Sequence, residues 1–400
     1  MTPPRPSAPP FRRWWILLVV CLALMLSNGL TLAGLTVFDP ELLASLGVGR
    51  AALKARDLVQ MLVAAAAAPL LGWIADRHGA RPLLVGGLAL LGLGLLAYSR
   101  IDALSQVYLV HVALGLALSA CGLVLCVSVV SRWFATDRGL AIGLVLAGGS
   151  FGNALLPQLN TTLKAELGWR PALEAVGWLP LALIPLVLWL VAEGPERASD
   201  AAPAARAPTG PSFLAALASR EFTLLGFIAF CTFLSLVGVT AHLFLFLKDN
   251  GLDERSAATG LTLLFGAGLL GKLCAGWAAD RAGLRPVLLT CLATMCCGAA
   301  LLLVMGGRAP WVAIGVLGLG WGGIYTLQQV AAAAVFDGPA LGRIVGALVL
   351  IDSTGAALGP WAIAKLFDAQ GDYQGAFAAV LALLVLAFAA ALGLRLRRIT

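Results

Sequence analysis

Apolar residues dominate the chain in blocks of about twenty, each closed by a short polar stretch. Twelve such blocks follow one another: 14–37, 56–75, 82–99, 106–131, 139–162, 172–192, 221–247, 257–279, 286–305, 311–335, 342–366 and 374–394. In helical form that length matches a hydrocarbon layer roughly 30 Å thick. Backbone groups in lipid have to be bonded inside the segment, which a helix achieves alone. The pattern predicts an all-α membrane protein with twelve transmembrane helices. Its longest polar break, "EGPERASDAAPAARAPTGPSF" from Glu193 to Phe213, follows the sixth block. Proline, alanine and mixed charge make it read as a flexible linker. The chain then divides into a tail (1–13), a six-helix half (14–192), a linker (193–220), a second six-helix half (221–394) and a short tail (395–400).

Composition sharpens this. Of 400 residues, 60% are hydrophobic and 12% charged, against about a quarter charged in soluble chains. The net charge of +7 gathers at the ends of the apolar blocks, which is a signal of membrane orientation and not of nucleic-acid binding. The side with Arg12, Arg13, Arg77, Arg81, Arg281, Arg285 and Arg397 holds more basic residues than the side with Arg50, Lys54, Lys164 and Lys248. Both termini and the linker are therefore expected in the cytoplasm, with the chain in a bacterial inner membrane. The basic, Pro-rich start enters an apolar block too long for a cleaved signal, so the first helix is expected to remain. All eight cysteines lie in apolar blocks without a CxxC pair and read as packing residues. No cofactor or metal is expected. No nucleophile–base spacing or phosphate loop marks an enzyme.

One turn is written twice. "GWIADRHGAR" carries Gly72, Asp76, Arg77, Gly79 and Arg81, and "GWAADRAGLR" repeats them 204 residues later as Gly276, Asp280, Arg281, Gly283 and Arg285. Each copy ends the second helix of its half, as in folds with parallel internal repeats. Gly72 and Gly276 are expected to admit a neighbouring helix, and Gly79 and Gly283 to permit the tight turn. The motif G-x-x-x-D-R-x-G-x-R, doubled and in register with twelve spans, resembles the loop signature of the major facilitator superfamily. The resemblance implies two pseudo-symmetric halves, alternating access and a gating role for the turns. In that family the aspartate contacts the start of a helix in the opposite half and helps hold the outward-facing state. A topology signal combined with a turn would account for the same residues. "SRWFATDRGLAIGLVLAGGSFGNALLPQL" and "GRIVGALVLIDSTGAALGPWAIAKLFDAQGDYQGAF" resemble the monocarboxylate-transporter-like and oxalate–formate-antiporter-like branch.

Polar groups at mid-depth carry the functional reading, because an ionisable side chain there is costly. Lys272 stands eight residues before Asp280, about 12 Å in from the edge. Asp352 stands nine residues after Arg343, roughly 13 Å deep. The two are candidates for facing each other, either as a structural ion pair or across a substrate path. The resemblance implies a carboxylate-binding role for Lys272, where relatives commonly have arginine. An ammonium lacks the planar fork of a guanidinium. It also implies substrate contacts for His242 and Tyr325. His242 is equally well read as a packing residue, or as a proton acceptor, and Tyr325 as a buried ring. Gln328 and Gln329 accompany Tyr325. In the first half Asn28, Asn153, Ser27 and Gln158 either line a cavity or bond across helices. Relatives place Asn and Tyr where this chain has Cys121 and Leu123, which suggests a more apolar substrate or a different pose. His111 reads as structural. Arg56 and Asp57 read as a helix-end ion pair, or a gate, at the outer mouth.

These expectations converge on a secondary transporter of a small organic anion, with a carboxylate and protons moving together. Lys272 would attract the carboxylate while Asp352 competes for it, so that protonating Asp352 frees the lysine. A zwitterion divided between the two charges, and efflux of an amphipathic compound, are alternatives. A membrane sensor that transports nothing is a further one. The expected partners are a small-molecule substrate, protons and the lipid bilayer, without nucleic acid, and the chain is expected to act as a monomer.

Overall fold

The computed structural model describes residues 11–134, 137–191, 213–305, 310–336 and 341–394. The two tails and most of the expected linker lie outside these residues. Every described element is helical. The first half contains α1 (Arg12–Asn28), a π-helical turn (Gly29–Ala33), a 3-10 turn (Gly34–Phe38), α2 (Asp39–Leu46), α3 (Arg50–His78), α4 (Arg81–Tyr98), α5 (Leu104–Ala120), α6 (Leu123–Trp133), α7 (Arg138–Leu167) and α8 (Trp169–Leu190). The second contains α9 (Phe213–Leu217), α10 (Arg220–Asp249), α11 (Glu254–Ala282), α12 (Leu284–Met305), α13 (Pro310–Val335), α14 (Leu341–Gln370) and α15 (Gln374–Leu392). Twelve described segments are long and apolar enough to span a membrane, in the order the blocks predict.

Three boundaries differ from the hydropathy reading. The first span continues to Leu46, because the helix loosens at Gly29–Phe38 without stopping. The second begins at Arg50, ahead of the apolar block, because its charged first turns are buried against other helices. The fourth breaks at Cys121 and Gly122 into α5 and α6. Buried side chains form two cores, one drawn from residues 16–191 and the other almost entirely from 216–394. The short α9 lies inside the expected linker.

The repeated turns are built alike. Gly79 and Gly283 have φ of 81° and 89°, the left-handed side of the map that glycine occupies without strain. Arg77 and Arg281 lie over Trp73 and Trp277, at 4.4 and 4.1 Å from the ring centres. Arg81 donates to the Leu188 carbonyl and Arg285 to the Leu392 carbonyl. Each pair of equivalent positions is again 204 residues apart, so each arginine caps the last helix of its own half.

One expectation about the turns does not hold. No neighbouring helix approaches Gly72 or Gly276; a Cβ at either would meet nothing within 4 Å. Close approach occurs instead between α11 and α13. There a Cβ on Gly322 would strike the Gly268 carbonyl, one on Gly318 the Leu264 carbonyl, and one on Gly271 the Leu319 carbonyl. Small residues at a crossing let backbones touch where lipid supplies no hydrophobic drive. Asp280 is exposed and has no ion-pair partner among the described residues. The side chain of Asp76 lies outside the description.

The halves are joined on the face opposite the turns. Arg50 pairs with Asp249 at 2.7 Å, donates to the Tyr373 hydroxyl at 2.5 Å, and lies 3.8 Å from the centre of the Phe367 ring. Asp368 accepts the backbone N–H groups of Arg50 and Ala51 at 3.2 and 2.8 Å. It thus caps α3 from the other half, an anion at the positive helix end. Lys164 bridges Glu41 and Glu254 at 2.9 and 3.0 Å, and Gln158 donates to Thr259 at 3.1 Å. Tyr373 lies between α14 and α15, and burial raises its pKa above the ordinary phenol value, so it remains a neutral donor. Among the described residues, polar contacts between the halves lie on this latched face or near the middle, and none joins the ends that carry the repeated turns.

Candidate substrate cavity

Between the halves is a cavity of about 260 Å³. Helices from both sides wall it. Asn28 of α1, Asp57 and Gln60 of α3, Leu123 of α6, and Ser150 and Asn153 of α7 come from the first half; Phe233 and Thr240 of α10, Phe265 and Lys272 of α11, Trp321 and Tyr325 of α13, and Asp352 and Ser353 of α14 come from the second. A volume just under the roughly 300–1,000 Å³ of pockets for drug-sized ligands suits a small solute.

Lys272 dominates its chemistry. Its Nζ donates to Ser150 Oγ at 2.7 Å and stands 4.8 Å from the Tyr325 ring and 5.4 Å from the Trp321 ring. Among the described residues no carboxylate lies within ion-pair distance of it. Two ring faces and one hydroxyl therefore stabilise the ammonium, and two N–H donors remain. Trp321 is itself 8% exposed, and its indole N–H has no partner. The rings continue as a wall, Phe265 to Trp321 at 6.0 Å, Trp321 to Tyr325 at 5.8 Å and Tyr325 to Phe233 at 6.1 Å. Trp321 packs against Gly268, where a Cβ would sit 3.2 Å from the ring.

Asp352 lines the same cavity. It is 6% exposed, accepts from the Ser353 hydroxyl at 3.2 Å and, among the described residues, has no cation within ion-pair distance. Lys272 and Asp352 thus share the cavity without pairing to each other. Asn28 and Asn153 line it as well. Asn153 donates its amide to the Gly149 carbonyl at 3.0 Å, which leaves Oδ1 without a partner.

Other expected residues lie elsewhere. His242 is fully buried and does not line the cavity. Its Nδ1 meets the Tyr373 hydroxyl at 3.0 Å and its Nε2 the Pro360 carbonyl at 2.9 Å. Tyr373 takes a hydrogen bond from Arg50 and so has its own proton to give, which places the histidine proton on Nε2. Both ring nitrogens are used, and the ring ties α10 to α14 and to the latch. Gln328 is 4% exposed and away from the cavity wall, with neither amide atom bonded. The side chain of Gln329 lies outside the description. Gln158 bonds across the halves to Thr259 and Thr262. Ser27 is buried off the wall. His111 bonds the Val107 carbonyl at 2.9 Å and packs on Tyr98. Leu123 lines the cavity and Cys121 does not.

Arg56 is corrected most. It is no helix-end residue at a mouth but fully buried. It bonds Asp39 and donates to the Tyr98 hydroxyl at 2.8 Å, with Asp57 3.5 Å from its Nε. Lys54, also fully buried, holds the other oxygen of Asp39 at 2.5 Å and lies 3.8 Å from Asp57. Two cations and two carboxylates balance in this knot. Asp39 and Lys54 went unread because Asp39 comes from a different helix, and no periodicity relates it to Arg56. Ser150 and Trp321 were also missed. For Trp321 a signal existed, since it stands one helical turn before Tyr325.

The comparisons with known proteins agree with this arrangement. A sequence profile described as the Major Facilitator Superfamily matches residues 16–274 and again 246–399. The chain belongs to that superfamily: it is a multi-pass membrane transporter and not an enzyme. It is similar to monocarboxylate transporter 11 of Homo sapiens, 29% identical over 94% of this chain and 81% of that one. It is also similar to a gallate transporter of Pseudomonas putida, 30% identical over 67% of this chain and 66% of that one. In fold it matches a bacterial homologue of the human lysosomal transporter Spinster, solved in an inward-facing and occupied conformation, with a TM-score of 0.76, 16% identity and coverage of 96% and 97%. The nucleoside transporter NupG matches with a TM-score of 0.78 at 16% identity, over 96% and 99% of the two chains.

Proposed function

We propose that this transporter carries a small organic anion, a carboxylate, and couples its movement to protons. The observation that carries the reading is Lys272, an ammonium in a mostly apolar cavity with no carboxylate within ion-pair distance among the described residues. A buried cation without a counter-ion favours an anionic ligand, and midplane charges mark substrate or proton paths. The monocarboxylate and gallate transporters among its relatives support the same class. Asp352, unpaired in the same cavity, is the proton site of this proposal. A carboxylate on Lys272 beside a charged Asp352 is repelled; protonation of Asp352 removes that repulsion, and the proton is released with the substrate on the other side. The basic-residue bias puts the repeated turns in the cytoplasm of an inner membrane. The face without described polar contacts between the halves would then be the inner one.

Uptake into proteoliposomes tests the reading. Lys272→Ala is expected to lower carboxylate uptake by about ten- to a hundredfold, as for losing a charge-assisted hydrogen bond. Asp352→Asn is expected to abolish accumulation driven by a pH gradient while leaving exchange of internal for external substrate. Unchanged uptake in both variants overturns the proposal. The two unpaired charges in one cavity also favour a second reading, a zwitterion held at both ends. Competition by an amino acid equal to that by the matching simple acid would support it.

A further inference from the structure

The cavity has a second polar end that the carboxylate does not use. Asn153 stands three residues after Ser150 on α7, about 4.5 Å nearer the latched face. Its Oδ1 is unpartnered, and the residue is 5% exposed. The bond from its own Nδ2 to Gly149 fixes which atom is the acceptor. Asp57 Oδ2 and Gln60 Oε1 on α3 also line the cavity and also lack hydrogen-bond partners. Buried acceptors left unpaired are costly, so three in one small cavity imply a ligand that donates to them. The opposite end presents donors, the free N–H groups of Lys272 and the unpartnered Trp321 indole N–H; the carboxylate of Asp352, which also lines the cavity, is the proton site of the reading above.

The donor that the second end accepts is neutral. Asp57 is flanked by Arg56 at 3.5 Å and Lys54 at 3.8 Å, and an ammonium brought there would meet two cations. A hydroxyl meets no such repulsion. Between the two ends runs the wall of four rings, Phe265, Trp321, Tyr325 and Phe233, which favours a flat aromatic body by offset or edge-to-face contact.

We infer that the cavity recognises hydroxylated aromatic carboxylates of one ring, with the carboxylate on Lys272 and Trp321 Nε1, a ring hydroxyl donating to Asn153 Oδ1, and Asp57 Oδ2 open to a second hydroxyl. This rests on the anion reading above and adds the shape and the second functional group of the ligand. Asn153 and Asp57 are then specificity-determining residues, because a site built to bond a hydroxyl rejects the analogue that lacks it.

The test is equilibrium binding of 4-hydroxybenzoate, 3,4-dihydroxybenzoate and benzoate to the purified full chain, with acetate and lactate as ringless probes. A hydroxylated acid is expected to bind at least about tenfold more tightly than benzoate, since a hydroxyl-bonding site penalises its absence. Asn153→Leu is expected to bring that ratio towards one. The ratio is read within each protein, so a general loss of affinity does not imitate the effect. Asn153→Asp, which keeps an acceptor, is expected to retain the preference. A ratio near one in the unaltered chain overturns the inference, as does a ratio that Asn153→Leu leaves in place. Lys272-dependent binding of acetate or lactate without binding of the aromatic acids overturns it while the anion reading stands. Binding of no carboxylate at all overturns both.

Discussion

At the residue scale the molecule separates two kinds of buried charge. Asp39, Lys54, Arg56 and Asp57 neutralise one another, whereas Lys272 and Asp352 share a cavity and do not. The first group is structural, and its balance sets its sensitivity. Asp39→Asn leaves a net positive charge in the knot and is expected to cost about 3–5 kcal/mol, the range for breaking a buried pair by removing one partner. The measurement is thermal unfolding of the purified protein, with the melting temperature falling by several degrees. Adding Lys54→Met to that variant restores the charge balance and is expected to recover part of the loss. Equal melting of Asp39→Asn and the unaltered protein would remove the knot from the account of stability. Lys272 was legible in the sequence because a lone charge in an apolar block stands out. Asp39 was not, because the charge that makes it necessary lies on another helix. The open reading of His242 has the same origin: its partners, Tyr373 and Pro360, come from distant segments, and only the fold reveals that both ring nitrogens are used.

At the scale of elements, sequence periodicity located all twelve spans and missed how they cross. The doubled turn drew attention to Gly72 and Gly276, which touch no neighbour, while the contact that matters lies at Gly268, Gly271, Gly318 and Gly322. Composition could not choose between them, since a glycine in an apolar helix looks the same whether it faces lipid or a partner. The α11–α13 crossing has a functional consequence, because it sets Trp321 and Lys272 side by side. Gly322→Ala is expected to push α13 away from α11, lower the melting temperature and weaken ligand binding together. An unchanged melting temperature and affinity would show that the crossing tolerates the added methyl. The loosened stretch Gly29–Phe38 is secured differently. Asn160 donates to the Gly34 carbonyl at 2.9 Å and Lys164 to the Val37 carbonyl at 2.8 Å. Side chains of α7 thus serve acceptors where the helical ladder is irregular.

At the scale of the whole molecule the halves are held by a polar latch on one face and lack described polar contacts at the turn face. The alternating-access cycle that belongs to the proposed function would require the reverse arrangement at another point. The latch is therefore a weight on the balance between two states. Arg50→Ala with Lys164→Ala is expected to shift that balance towards opening at the latched face. Distances between spin labels placed on the two halves at that face would lengthen in a larger fraction of molecules. An unaltered distance distribution would mean that apolar packing, and not these charges, keeps the face shut. The shared use of Tyr373 by Arg50 and His242 links the latch to α10 and α14, the two helices that carry Thr240 and Asp352 to the cavity.

The capping of α3 by Asp368 extends beyond its own hydrogen bonds. When the halves part on that side, the start of α3 and the carboxylate of Asp368 lose each other and must be hydrated separately. In the proposed cycle each full turnover would then include wetting and drying one helix terminus, a process that dissolved ions can enter. Ions screen charges over about 10 Å at 0.1 M. On that cycle the solution bathing that face would be a silent participant, bearing on how readily the carrier returns to its closed form.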